Sequence, residues 1–172
     1  QRVSNELGLK FHRFLARETG GIGIHIDQQD VMEETASIAI PVKPLDPFSY
    51  PASGSKDYPK ILEIDLQNHQ PLKLECHIWP PKSSAPGYKL GGGKVSSRQG
   101  FYFYRNDRLI QAGGWNGCQS DDAEPHLSLA RVRIELPSRL DSLFKLDIGK
   151  SMMDPPAAFL PALETVDANG FT

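Results

Sequence analysis

The sequence predicts an α+β domain, a mixed β-sheet with helices on one face, and its patterning carries that reading. Between positions 100 and 111 two runs rich in aromatic and β-branched residues, 101–105 and 108–111, flank Asn106-Asp107, a pair that tolerates positive φ, so a tight hairpin is expected. Residues 129–136 alternate, with Val132, Ile134 and Leu136 apolar and Arg131, Arg133 and Glu135 charged, as a strand with one wet face should. Strands that run in succession before a helical turn and a final strand, with a helix at each end of the chain, make the pattern of an α+β layer.

Taken in order, Leu7, Leu9, Phe11, Phe14 and Leu15 fall mostly on one face at helical spacing, and Thr19-Gly20-Gly21 stops the run, so an opening helix is expected. Ile22, Ile24 and Ile26 alternate with Gly23, His25 and Asp27 as a strand, and residues 28–30 turn the chain. A further short strand over 37–42 runs into a proline-rich irregular loop over 41–59. Residues 60–66 and 72–79 return to β-type patterns, closed by Pro80-Pro81. Residues 82–99, rich in Ser, Gly and Lys, read as a mobile loop, and 112–126, with Gly113, Gly114 and Gly117 around Trp115, as a second irregular connection. Pro137 ends the strand before it, and Ser138 is expected to cap a short turn through 143. Residues 145–148 then form a short strand that delivers Gly149-Lys150-Ser151 into a loop. A closing helix is expected over 157–166, interrupted by Pro161 unless that residue sits in its first turn. The organisation is thus a linking helix over 1–20, one domain over 21–166 and a frayed end over 167–172.

Composition narrows the function classes. A chain of 172 residues suits one domain with a real core, and a net charge of −2 gives no global attraction to nucleic acid or to an anionic membrane. Cys76 and Cys118 lack metal-ligand spacing and are too few for a disulfide framework, so a reducing, cytoplasmic setting is expected. No apolar run approaches the ~18 residues of a membrane span, and the layout of a signal peptide is absent, so no membrane partner is expected. The chain begins with Gln rather than Met, which suggests a processed chain or a piece of a longer one.

His12, His25, His69, His77 and His126 are scattered with no H-x-x-x-H or C-x-x-C pair, so no metal site is expected. The neighbours Cys76 and His77 point to opposite sides of a strand, which argues against a Cys-His nucleophile. Gly91-Gly92-Gly93-Lys94 lacks the spacing of a phosphate-binding P-loop and reads as a flexible linker. Arg98, Arg105, Arg108, Arg131 and Arg133 are interleaved with Tyr102 and Tyr104, which alternation places on one side of their strand. Such a face can stack bases and hold phosphates, or be an ordinary solvated sheet surface. Lys150, after a strand end and beside Ser151, is a compact point charge that can reach toward a phosphate.

The ordered segments G-F-Y-x-Y-R-N-x-R-L-I at 100–110, A-G-G-W at 112–115, H-L-S-L-A-R-V-R-I at 126–134 and S-x-L-D at 138–141, leading to L-D-I-G-K-S at 146–151 and Pro155-Pro156, resemble the transducer domain of bacterial GHKL ATPases of the MutL and MORC-like kind. L-G-L-K-F-H-R-F-L at 7–15, I-G-I-H-I-D at 22–27 and D-P-F at 46–48 resemble the segment that follows the ATPase domain in that family. The resemblance covers roughly residues 5–160. It implies a transducer-type fold similar to the second domain of ribosomal protein S-five. It also implies ATP and magnesium held by a neighbouring N-terminal GHKL ATPase domain, and a transducer lysine that reaches the γ-phosphate; Lys150 stands at that position, with Ser151 beside it. The implied role is to couple nucleotide state to conformational change in DNA repair, chromosome handling or defence against foreign DNA, with DNA and a second copy of the chain as further partners. The chain departs from the family in lacking the helix with the catalytic Glu and Asn and the D-x-G-x-G motif, so no ATP turnover is expected from it alone. The alternative reading is a nucleic-acid-binding module working through Arg105, Arg108, Arg131 and Arg133, and a third is a hydrolase using His and Cys side chains.

Overall fold

The computed structural model describes residues 1–27, 32, 38–66, 71–119, 123–145 and 153–170. Its centre is a five-stranded sheet in the order β3-β4-β7-β5-β6, formed by Lys60–Ile64 (β3), Leu72–Ile78 (β4), Gly100–Arg105 (β5), Arg108–Ala112 (β6) and Ala130–Glu135 (β7). All its pairings are antiparallel except β5 with β7, so the sheet is mixed, as expected. A small second sheet pairs His25–Ile26 (β1) with Ile40–Pro41 (β2). Around them lie Arg2–Lys10 (α1), His12–Leu15 (α2), Pro86–Lys89 (α3) and Phe159–Gly170 (α4).

The helices divide between the two faces of the sheet, rather than gathering on one. The reason is in β5, where every residue from Gly100 to Tyr104 is buried. Alternation sends Phe101 and Phe103 to one side and Tyr102 and Tyr104 to the other, and both sides are apolar enough to need a cover. Phe101 and Phe103 join Leu74, Val132 and Ile134 beneath Phe144 and Phe159, the latter from α4. Tyr102 and Tyr104 meet Leu45, Leu90 and Leu109, with Leu9 of α1 and Phe48 packed against them.

Asn106 and Asp107 both take positive φ, at 48° and 62°, so the β5–β6 hairpin has the type I′ turn its sequence predicts. Gly100 shows why the following A-G-G-W segment is glycine-rich: its φ is +108°, and a Cβ there would meet the Gly114 carbonyl oxygen at 2.3 Å. The close approach lets Phe101 N–H donate to that oxygen at 2.9 Å, which extends the pairing of β5 into the turn.

The opening helix is interrupted at Phe11, which leaves the helical region at φ −115° and ψ 16°. The largest departure lies in 82–99, expected as a mobile loop. It carries α3 and a 3-10 turn, Val95–Arg98, and it buries Tyr88 and Leu90. Polar ties explain its order: Tyr102 Oη donates to the Arg98 carbonyl at 2.6 Å, and Trp115 Nε1 donates to Gln99 Oε1 at 2.9 Å. Ser138 begins a 3-10 turn, Ser138–Leu140, whose cap is Pro137. Pro161 is the third residue of α4, where a missing N–H costs nothing. The strand expected over 145–148 lies outside the described residues beyond Lys145. Among the described residues no helix is long and apolar enough to cross a membrane.

Candidate functional site

Lys150 and Ser151 lie outside the described residues, but the chain on either side of residues 146–152 is firmly placed. Upstream, Phe144 is fully buried in the core beneath α4. Downstream, Met153 is held by two side-chain amides from the hairpin and the turn after it. Its N–H donates to Gln111 Oε1 at 2.6 Å, and its carbonyl accepts from Asn116 Nδ2 at 2.8 Å. The two amides also bond each other, Gln111 Nε2 donating to Asn116 Oδ1 at 2.7 Å and Asn116 Nδ2 to Gln111 Oε1 at 3.2 Å. Gln111 is buried, so in that low-dielectric setting each of these bonds is strong and each unmade one costly. Outside this clamp Lys145 Nζ and Asp154 Oδ2, 2.9 Å apart, bridge the two ends across the surface.

The same hairpin is bound at its tip to the N-terminal helices. Arg13 Nη1 donates to Asp107 Oδ1 at 3.2 Å, Arg13 also pairs with Glu135, and Arg17 pairs with the other oxygen of Asp107. The Arg13 guanidinium lies 3.8 Å from the centre of the Tyr104 ring. Isolated surface ion pairs contribute little, but Arg13 is mostly covered and is shared by two carboxylates and an aromatic face. Helix α2, the hairpin tip, β6 and Met153 therefore form one continuous run of fixed contacts.

Beneath Phe48 the second core holds a string of titratable groups. Tyr50 Oη is 2.6 Å from His77 Nδ1, and His77 Nε2 is 3.2 Å from Glu75 Oε1 but at an angle that makes no hydrogen bond. Burial outweighs the attraction of Glu75 and pushes the His77 imidazole down to about 4. Glu75, whose carboxyl burial alone would push up, is held below its usual range by Arg133, its cross-strand neighbour in β7. On the far side of Phe48, His12 Nδ1 is bound to the Leu9 carbonyl at 2.7 Å, and burial lowers its pKa too. His77 lies between Phe48 and Tyr50, and His12 lies edge-on to Tyr104, so both rings read as neutral parts of the packing.

The four candidate arginines do not come together as one surface. Arg131 is 1% exposed, and its guanidinium is spent on the carbonyls of Pro47, Gly87 and Tyr88 at 2.6, 2.7 and 2.6 Å. It was expected on a wet face and is instead a buried fastener. Arg133 is paired with Glu75, and Arg105 makes a bidentate pair with Asp141 at 2.7 and 2.9 Å. Arg108 lies with its guanidinium 5.7 Å from the Phe11 ring centre. Tyr102 and Tyr104 are fully buried, so the expected Arg/Tyr stacking face is the second core of the domain and not a surface.

Cys76 and Cys118 are free thiols that both line a 310 Å³ apolar hollow between the sheet and α4. Among the described residues no group of three or more His, Cys, Asp or Glu side chains is placed to hold a metal ion. Sequence reasoning missed Gln111 and Asn116. Their signal was an amide between apolar Ile110 and Ala112 in a strand, with a second amide inside the Gly-rich turn that follows. No protein-family profile, curated protein or solved structure matches the chain.

Proposed function

We infer that the chain is the transducer module of a GHKL-type ATPase. It relays the nucleotide state of a neighbouring N-terminal domain, which holds ATP and magnesium, to the rest of a cytoplasmic protein that handles DNA. The observation that supports this reading best is mechanical. The described residues on either side of 146–152 are fixed, Phe144 in the core and Met153 by Gln111, which sits on the same hairpin that Arg13 and Arg17 clamp to the N-terminal segment. A contact from Lys150 to a γ-phosphate is made while the triphosphate is bound, and hydrolysis removes it. Gains and losses of that contact then act on the hairpin and on the helices that lead back to the nucleotide domain.

The test is Lys150→Ala in the protein joined to its ATPase domain. Loss of one charge-assisted contact worth about 1.5–3 kcal/mol lowers turnover roughly ten- to hundredfold where the contact forms mainly in the transition state. Lys150→Arg rescues poorly, since a planar fork replaces a compact ammonium. Lys145 is a poor control because it bridges to Asp154; Lys56, exposed and in no ion pair among the described residues, replaces it. Turnover of the Lys150→Ala protein equal to the parent's at saturating ATP, with melting unchanged, removes Lys150 from the site and the main support from this reading.

A further inference from the structure

A cleft of about 740 Å³ opens between α1, residues 40–45 and the segment that leads through α3 to Gly92. The protein carries 21 acidic side chains and a net negative charge. Among the described residues no acidic side chain lines this cleft, whereas Lys43 and Lys89 both do. Neither lysine has a carboxylate partner among the described residues. Ser4 and Ser84 add hydroxyl donors, while Ile40 and Leu45 supply an apolar side.

The walls are fixed to one another. The Leu45 N–H donates to the Gly8 carbonyl at 3.0 Å, and a Cβ at Gly8 would lie 2.5 Å from the Lys43 carbonyl oxygen, so α1 and residues 40–45 touch backbone to backbone. Across the cleft Asn5 Nδ2 donates to the Gly91 carbonyl at 3.2 Å, and Leu90 is buried behind it. Gly91 and Gly92 of the triple-glycine turn, a flexible linker by sequence alone, thus form part of a preformed wall. A volume of this size suits a small molecule, and preformed walls lower the ordering cost of taking one up.

We propose that this cleft binds a small organic anion, its charged group between Lys43 and Lys89 and its apolar body against Leu45 and Ile40. The site is independent of the transducer reading and stands or falls without it. Phosphate esters and carboxylates share the required chemistry, and the choice of probes separates them.

The chain is titrated at pH 8 and low salt with phenyl phosphate, benzoate and inorganic phosphate, with amide chemical shifts followed by NMR. Expected is saturable binding of phenyl phosphate with shifts confined to residues 4–8, 40–45 and 83–92. Inorganic phosphate, lacking the apolar part, binds at least about threefold more weakly. Benzoate binding as tightly as phenyl phosphate assigns the site to carboxylates, and weaker binding assigns it to phosphate esters. Lys43→Gln with Lys89→Gln weakens the tighter probe by about tenfold or more, and raising the salt does the same by screening. Both lysines are exposed, so folding is kept, while Lys56→Gln leaves binding unchanged. Shifts that fail to saturate, that map elsewhere, or that survive the double substitution overturn the proposal.

Discussion

Replacing Arg131 by methionine keeps most of the volume and removes the guanidinium. That side chain is 1% exposed, lies 4.8 Å from the Trp79 ring centre and donates to three backbone carbonyls, with no carboxylate beside it among the described residues. Two effects oppose. Removing a buried, unpaired charge relieves desolvation, which already lowers the pKa of this group. Against that, the carbonyls of Gly87 and Tyr88 are left without their donor, at about 1–3 kcal/mol each. The Pro47 carbonyl still accepts from Trp79 Nε1 at 2.9 Å, so it is not orphaned. The net expectation is a loss of about 2–5 kcal/mol, or a fall in melting temperature of about 4–20 °C for a domain of this size. Urea melts followed by tryptophan fluorescence measure it directly. Arg131→Lys restores the charge but not the fork, so it recovers little. An Arg131→Met protein as stable as the parent, or full recovery with lysine, would refute the idea that the guanidinium geometry fastens residues 47 and 87–88 to the sheet.

Gly100→Ala puts a Cβ at positive φ against the Gly114 backbone, so it loses about 1–3 kcal/mol from strain alone, read by thermal melting; a neutral result contradicts the close β5–turn approach. His77 is pushed down to about 4 by burial, so the unfolded chain binds a proton there that the folded chain refuses. That contribution to stability is fully present above the ordinary histidine value of about 6.5 and is lost as pH falls from there toward the folded value. Glu75, also held low, adds in the same direction at the acid end. Melting temperature is therefore flat from pH 8 to 7 and falls below pH 6.5, less steeply in His77→Phe; an unchanged profile between parent and variant sinks this assignment. Burial pushes the Cys76 thiol up to about 11 and raises Cys118 as well. At pH 8 iodoacetamide labels Cys76 in the folded chain roughly a hundredfold more slowly than an exposed thiol, with ordinary rates in urea, and fast native labelling of Cys76 would show the hollow beside α4 to be open.

Much of the sheet was legible because local chemistry agreed with it. Asn106-Asp107 between aromatic runs specified both the hairpin and its turn type, and the alternation of Val132, Ile134 and Leu136 specified which side chains of β7 enter the core beneath α4. The two-faced core was legible in principle. Phe101, Tyr102, Phe103 and Tyr104 leave no polar position in the strand, the pattern of a strand covered on both sides. It was masked by the phenol oxygens, which make the tyrosines look surface-bound. The burial of Arg131 was not legible, because its partners are carbonyls of Pro47, Gly87 and Tyr88, and main-chain acceptors leave no mark in a sequence. The same holds for 82–99, whose order rests on scattered bonds from Asn5, Tyr102, Trp115 and Arg131 rather than on any repeat. For the candidate site, Lys150 was singled out by resemblance, whereas the amides that anchor its segment meet only once β6 and the Gly-rich turn are folded.

The place of β7 in the sheet has a consequence for how the chain assembles. β3 with β4 and β5 with β6 are pairs of neighbours in sequence, but β7 lies between β4 and β5 and joins them. Its partners are remote: Ile134 pairs with Leu74, 60 positions earlier (134 − 74), and Arg131 with Gly100, 31 earlier (131 − 100). Until residues 130–135 are made, the nascent chain holds two separate hairpins, one exposing the edge of β4 with Leu72 and Leu74, the other that of β5 with Phe101 and Phe103. Closing such long loops is slow, and unpaired apolar edges recruit other chains meanwhile. Truncation anywhere between Ala112 and Ala130 therefore yields two half-sheets that aggregate, and refolding speed is governed by the docking of one six-residue strand.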